Sequence, residues 1–267
     1  MSNLKPFLRW AGGKNWFIKH LINYLPSDGF NNYHEPFVGA GSVFFHLKPK
    51  HAFLSDLNSE LIDTYKQVKD NVEELILSLS QFENTADCYY QVRSTEYSDK
   101  TQQAARFIFL NQTSFNGIYR VNLKGVYNVP YGHRNVNFFD PNGLRSASKA
   151  LHNSTLSTSD FMKTIDNIQE NDLVFVDPPY TVAHENNGFV KYNQKIFAWG
   201  DQERLNSYLQ SILERGANFI MTNAAHESIE QLYKGIGNIT KLQRASLIGG
   251  KGATRTSYNE FVYSSRK

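Results

Sequence analysis

The chain has 267 residues, 40% hydrophobic and 20% charged, with a formal net charge of +3 at pH 7, the make-up of a folded globular protein large enough for one domain with a sizeable insertion. No apolar run approaches the length of a membrane span, Met1 to Lys14 lacks the apolar core of a signal peptide, and Cys88 is the only cysteine. Membrane-spanning, disulfide-framed and multi-cysteine zinc proteins are therefore excluded, and a cytoplasmic protein is expected.

An amphipathic pattern around residues 14–25 predicts a helix, followed by a short strand at Tyr33–Val38 that breaks at Gly39-Ala-Gly41 before an apolar helix start at Val43-Phe44-Phe45. Leu54-Ser-Asp56 reads as the end of a second short strand. Leu57, Leu61, Ile62, Tyr65 and Val68 keep helical spacing, as do Val72, Leu75, Ile76 and Leu79, and a further helix is expected near Ala104–Asn111. A polar, Gly-containing stretch runs from Gln112 to Arg134. Later strands are expected at Ser154–Ser157, Leu173–Val176 and Asn218–Thr222, with a helix at Gln202–Arg215 stopped by Gly216 and an edge strand at Thr256–Ser264. The alternation predicts an α/β fold, a mainly parallel sheet with helices on both faces. A mostly helical insertion at residues 57–139 separates the parts of a second domain, 1–56 and 140–267.

Charge is distributed unevenly along this plan. Residues 1–27, 100–139 and 231–259 contain no Asp or Glu, yet they hold half of the chain's 28 Lys and Arg, among them Arg9, Lys14, Arg106, Arg120, Lys124, Arg134, Arg244, Lys251 and Arg255. Chance clustering on a solvated face competes with a polyanion footprint assembled from three segments, in which Asn, Gln, Ser and Tyr interleave with the cations.

Two loops carry chemistry. Phe37-Val-Gly-Ala-Gly41 after a strand lets a ligand approach backbone, although Phe44 stands where the third glycine of a dinucleotide fingerprint would fall. Asp56, after the second strand, is placed either to accept hydrogen bonds from ribose hydroxyls or to cap the following helix. The second loop is Asp177-Pro-Pro-Tyr180, directly after Val174-Phe-Val176. The prolines end the strand and stiffen the backbone beyond it. The Asp177 carboxylate and the Pro178 carbonyl can together accept both hydrogens of an exocyclic amino group while Tyr180 stacks on a planar base. Such bonds concentrate electron density on the nitrogen, which then attacks a methyl held in line on a sulfonium.

The sequence resembles the Dam family of DNA adenine-N6 methyltransferases over nearly its whole length. The resemblance rests on Phe7-Leu-Arg-Trp-Ala-Gly-Gly-Lys14, Glu35-Pro-Phe-Val-Gly-Ala-Gly-Ser-Val-Phe44, Leu54-Ser-Asp-Leu-Asn58, Ser114-Phe-Asn-Gly-Ile-Tyr-Arg-Val-Asn122 with Asn128-Val-Pro-Tyr-Gly132, and Asp177-Pro-Pro-Tyr180, in the order of the family's alpha arrangement. It implies a Rossmann-like S-adenosyl-L-methionine-dependent sheet. Trp10, Lys14, Asp56 and Asp177 fall on cofactor-binding positions, Phe37, Gly39 and Gly41 line the same pocket, and Asp160-Phe161 flanks the cofactor adenine. On the DNA side, Arg9 and Arg120 match positions that contact guanines of GATC, and Ile118 and Pro130 positions packed on a thymine methyl. Phe115 enters the stack beside a flipped adenine, and Ser114, Asn116, Asn122, Asn128, His133 and Arg134 complete the DNA-reading segment.

Arg9 stands where a lysine is common, His133 where several relatives carry arginine, and the Gly- and Lys-rich loop Leu247–Arg255 is only loosely similar. The resemblance further implies double-stranded DNA as partner, a monomer with no obligate protein partner, and catalysis without a metal. An RNA base methyltransferase and a DNA-binding module that has lost catalysis stay open as alternatives. The missing third glycine speaks against a nicotinamide oxidoreductase.

Overall fold

Proline and polar caps set the element boundaries. In the computed structural model, which describes residues 4–122, 125–134, 137–181, 197–245 and 257–265, β1 runs only Tyr33–Glu35, because Pro36 withdraws the next ladder donor from the strand expected to reach Val38. The helix expected over 14–25 is a 3-10 turn at Lys14–Trp16 and a single α-helical turn, α1 (Ile18–Leu21). Leu25 precedes Pro26 and is biased away from helical backbone, and Ile22, which the periodicity would bury, is 70% exposed.

With β2 (Ala52–Asp56), β3 (Ser154–Thr158), β4 (Leu173–Val176), β5 (Asn218–Ala224), β6 (Asn238–Ala245) and β7 (Ser257–Ser264), β1 builds a seven-stranded sheet among the described residues, ordered β3-β2-β1-β4-β5-β7-β6. β4 is parallel to β1 and to β5, whereas β7 is antiparallel to both β5 and β6. This is the Rossmann-like doubly wound order with a reversed strand inserted near one end. The strand expected at the edge is therefore interior. The edge on this side is β6, which the sequence reading missed and whose exposed Lys241 discourages edge pairing.

The chain forms two compact units. The first comprises Met1–Asn15, Val38–Lys50 and Leu54–Thr158. It holds α2 (Ser42–Leu47), α3 (Ser59–Asp70), α4 (Val72–Leu79), α5 (Ala86–Ser94), α6 (Lys100–Thr113) and α7 (Pro141–Leu151). Asn58, Thr85, Asp99 and Asp140 cap α3, α5, α6 and α7 through their side chains. Leu57 precedes the cap and is 60% exposed, so the apolar stripe of α3 begins at Leu61. Helix α6, longer at both ends than the expected 104–111, buries Ala104, Ala105 and Phe107–Leu110 and packs on α3, α4 and α5.

The second unit comprises Trp16–Phe37, His51–Phe53 and Ser159–Lys267. Its core joins Val174, Val176, Phe219 and Met221 of the sheet to Leu205, Leu209 and Ile212 of α8 (Trp199–Glu214) and Ile229 of α9 (Glu227–Leu232). Below β1 and β4, the fully buried Asp172 accepts from the Asn32 backbone and side chain at 2.9 Å each and from Gln169 N–H at 2.9 Å. It also pairs with His34 Nε2 at 2.8 Å. The His34 ring stacks on Phe53, centroids 4.7 Å apart, and its Nδ1 is buried with no hydrogen-bond partner among the described residues.

Burial holds the His34 pKa below its ordinary value, partly offset by the hydrogen bond and charge of Asp172. A group whose pKa is depressed by folding stabilises the fold above its unfolded pKa, about 6.5, and that contribution is lost as pH falls through the folded value. Urea unfolding at about pH 7.5 and about pH 5 should show a stability drop that shrinks in His34→Gln, which keeps a donor toward Asp172 but does not titrate. An equal drop in both proteins would place the acid sensitivity elsewhere.

Candidate active site

In the first unit, Gly39 and Gly41 follow β1 with φ of +45° and +65°, a region where side chains are strained. Gly41 caps α2 in this conformation. A Cβ on Gly39 would lie 2.7 Å from the Trp10 indole, and one on Gly41 2.9 Å from the Tyr65 hydroxyl. That hydroxyl donates to the Gly39 carbonyl at 3.0 Å. Asp56 accepts from Gly39 N–H at 3.2 Å and from Asn58 N–H at 3.0 Å, while Asn58 itself caps α3 by accepting from Leu61 N–H at 3.1 Å. Asp56 is thus a brace for the glycine loop and not the cap of α3.

Burial raises the Asp56 pKa, against the pull of the Asn58, Gly39 and Leu57 N–H groups. Trp10 stacks on Tyr119 and Phe107 with centroids 5.5 and 6.4 Å away. Lys14 is 3% exposed and donates to the Gly12 carbonyl at 2.8 Å. Trp10, Gly39, Gly41 and Asp56 therefore form one cluster of an indole, left-handed glycine backbone and a carboxylate.

The DNA-reading candidates form a second cluster in this unit. Asn111 clamps Arg9 by accepting from its N–H and donating to its carbonyl, both at 2.8 Å. The Arg9 guanidinium lies against Gly117, where a Cβ would approach Cζ to 2.6 Å, and its Nη1 is buried with no hydrogen-bond partner among the described residues. Gly117 closes a turn with Phe115, 53% exposed, and Asn116, whose φ is +57°. Phe115 N–H donates to the Pro130 carbonyl at 2.9 Å.

Bridges Ser114–Tyr131 and Val121–Tyr127 pair residues 114–121 with residues 127–131, and Arg120 Nε donates to Asn128 Oδ1 at 3.0 Å. Asn122 tightens the tip by accepting from Val126 N–H at 3.0 Å, and Ile118 is half-buried, its carbonyl accepting from Tyr127 at 3.1 Å. Pro130 and His133 are exposed, the latter at φ +49° with its ring 4.7 Å from Tyr131. The Arg134 carbonyl accepts from Asn84 at 2.9 Å. Ser114 is fully buried and donates toward the Asn111 carbonyl at 3.4 Å.

In the second unit, Asp177 leaves β4 and accepts from Thr222 Oγ on β5 at 2.8 Å. Pro178 is buried, and Tyr180 donates to Glu260 on β7 at 2.6 Å. Arg244 on β6 forms an ion pair with Glu260. Burial, then the charges of Glu260 and Asp177, push the Tyr180 pKa well above the ordinary tyrosine value, so the phenol stays protonated. The next residue, Thr181, accepts from Gln202 at 3.0 Å within a buried network that includes Asn223 and Tyr233. Phe37 and Phe161 pack together at 5.2 Å, and Asp160 accepts from Met162 N–H and from Arg204, whose guanidinium lies 4.9 Å over Phe161.

Thr222, Gln202 and Glu260 were not read from the sequence as site residues, and Arg244 only as part of a polyanion footprint. Only Glu260 left a signal, as an acid in the apolar run Phe261-Val-Tyr263 after a long acid-free stretch. Arg244 and Arg106 also leave the expected polyanion footprint, because Arg106 donates to the Val92 and Arg93 carbonyls at the end of α5. Lys124, Lys251, Arg255 and the loop Leu247–Arg255 lie outside the described residues. No helix among the described residues is long and apolar enough to cross a membrane.

Similarity to known proteins points the same way as these clusters. The chain is 36% identical over 271 residues to the type II methyltransferase M1.LlaDCHI of Lactococcus lactis subsp. cremoris, covering 97% of this chain and 95% of the relative. It is 36% identical over 276 residues to the type II methyltransferase M.MjaIII of Methanocaldococcus jannaschii, covering 94% and 95%. It is 28% identical over 271 residues to the DNA adenine methylase of Escherichia coli K12, covering 98% and 95%. A family model matches residues 10–247, which span both chemical loops and the DNA-reading segment, and the chain belongs to the D12 class N6 adenine-specific DNA methyltransferases.

Proposed function

We propose that the enzyme methylates the adenine N6 of double-stranded GATC after flipping that base out of the helix, with S-adenosyl-L-methionine as donor. The observation that carries this reading is the Asp177-Pro-Pro-Tyr180 loop, whose carboxylate and phenol are each pinned by a neighbouring strand. Asp177 and the Pro178 carbonyl accept the two amino hydrogens, and Tyr180 stacks on the base. The nitrogen takes the methyl as the methyl–sulfur bond breaks to leave a neutral thioether, and it gives up one proton. Flipping is required because an amino group inside a duplex is out of reach of a buried site.

The residues of the glycine-loop cluster fit the donor. Trp10 offers a face for a planar ring, Gly39 and Gly41 offer backbone without side chains, and Asp56 offers a carboxylate for hydroxyl or ammonium groups. S-adenosyl-L-methionine supplies an activated methyl on a sulfonium. Lys14, Phe37, Asp160, Phe161 and Asp177 complete the binding set. Residues 57–139 serve recognition, and 1–56 with 140–267 serve cofactor binding and catalysis.

Within the recognition stretch and the adjoining Arg9, Arg9 and Arg120 read guanines, Ile118 and Pro130 meet a thymine methyl, and Phe115 fills the space left by the adenine. Ser114, Asn116, Asn122, Asn128, His133 and Arg134 shape that segment or meet the backbone. The Nη1 of Arg9, which has no hydrogen-bond partner among the described residues, and the exposed ring of Phe115 support this assignment. The enzyme works as a cytoplasmic monomer.

Labelled methyl should enter a duplex with a single GATC and not a scrambled duplex of equal composition. Equal incorporation into both would overturn the GATC assignment while leaving the chemistry. Asp177→Ala should abolish transfer with duplex binding retained, and loss of binding in a folded variant would sink that division of roles. Thr222→Val keeps the shape of the side chain but removes the hydroxyl that orients Asp177. It should slow single-turnover transfer by about tenfold, the loss expected for one hydrogen bond to a charged group. An unchanged rate would show that Asp177 is positioned without it.

A further inference from the structure

We propose that Glu260, backed by Arg244, is a positioning residue that fixes the Tyr180 ring for its stacking on the target base. This rests on the reading of Tyr180 as the stacking residue. Glu260 is 1% exposed and lies on β7, in register with Ala224 of β5 on one side and Leu242 of β6 on the other. Its backbone is thus held by two strands, and its Oε2 takes the Tyr180 hydroxyl at 2.6 Å. The prolines fix the backbone up to Tyr180 but leave the side-chain torsions of the tyrosine to its surroundings. A hydrogen bond at the far end of the ring, para to Cβ, constrains where the ring lies.

Stability gives a poor account of these groups. Burying a carboxylate against a guanidinium costs desolvation that the pairing only partly offsets, and an apolar replacement of similar volume is often as stable or more so. The rest of the strand from Phe261 to Tyr263 is apolar and buried. Glu260 is the departure from that pattern, and its carboxylate meets a residue of the chemical loop on one oxygen and Arg244 on the other. Burial and the neighbouring carboxylates keep the Tyr180 phenol protonated, so it remains the donor in this bond.

A double-mutant cycle tests the assignment, because a residue acting only through the Tyr180 hydroxyl has nothing to act on in Tyr180→Phe. Glu260→Gln tests the charge, and Glu260→Asp retains the charge for Arg244 while withdrawing it from the phenol. Each should slow single-turnover methyl transfer by about tenfold, the loss expected for one charge-assisted hydrogen bond, with KM for duplex and donor within about twofold. In the Tyr180→Phe background neither should slow it further.

A duplex with 2-aminopurine at the target position gives a second readout that a merely structural role would not move. The wild-type enzyme should raise its fluorescence as the base leaves the helix, and Glu260→Asp should raise it further as stacking on Tyr180 loosens. Additive losses in the cycle, or variants that lower only the melting temperature, would overturn the role of Glu260 while a wild-type fluorescence response upholds the flipped-base reading. No response from an active wild-type enzyme overturns the flipped-base reading and the positioning role with it.

Discussion

Two consecutive prolines placed one residue after a buried strand are the constraint on which the second unit turns. Val176 is the last residue of β4, and Pro178 and Pro179 can neither extend the ladder nor coil into a helix. The chain leaves the sheet along a path with few alternatives, and the flanking side chains are then fixed one by one by two strands and a helix already in place. Thr222 takes Asp177, Glu260 takes Tyr180, and Gln202 takes Thr181. A stiff loop tied at three successive points requires little reorganisation when a substrate arrives, which is the condition under which fixed dipoles are most effective.

The glycine loop of the first unit solves a different problem by a different route. Its backbone is bent into left-handed conformations and supported on Trp10 and on the Tyr65 hydroxyl, so the support comes from large rings packed where side chains are missing. Asp56 holds the same loop through backbone N–H groups. In one unit rigidity comes from proline; in the other it comes from glycine, with aromatic groups filling the space that glycine leaves.

The sequence disclosed the features that local rules control. Strand β4, the apolar stripes of α3 and α4 and both chemical loops are announced by periodicity, glycine or proline at short range. Helix α5 buries only Tyr89 and Val92, and β6 is a largely exposed edge, so neither has a stripe to find. Helix α7 is a plainer omission, because Asp140-Pro141 and the buried Leu144, Ala147 and Leu151 are a legible start and face. The partners within the site stayed hidden: Thr222 lies 45 residues from Asp177 and Glu260 lies 80 from Tyr180, and only the register of the sheet brings them together.

The buried Nη1 of Arg9 has an energetic meaning for the protein by itself. A desolvated donor with no acceptor among the described residues costs about 1–3 kcal/mol, and it is held in place by the Asn111 clamp and the bare backbone of Gly117. An acceptor that reaches this nitrogen recovers the deficit, and a surface that offers none leaves it standing. On the proposed reading of Arg9, part of the discrimination between one partner and another would be stored in the unbound molecule, as a cost that only a matching partner removes.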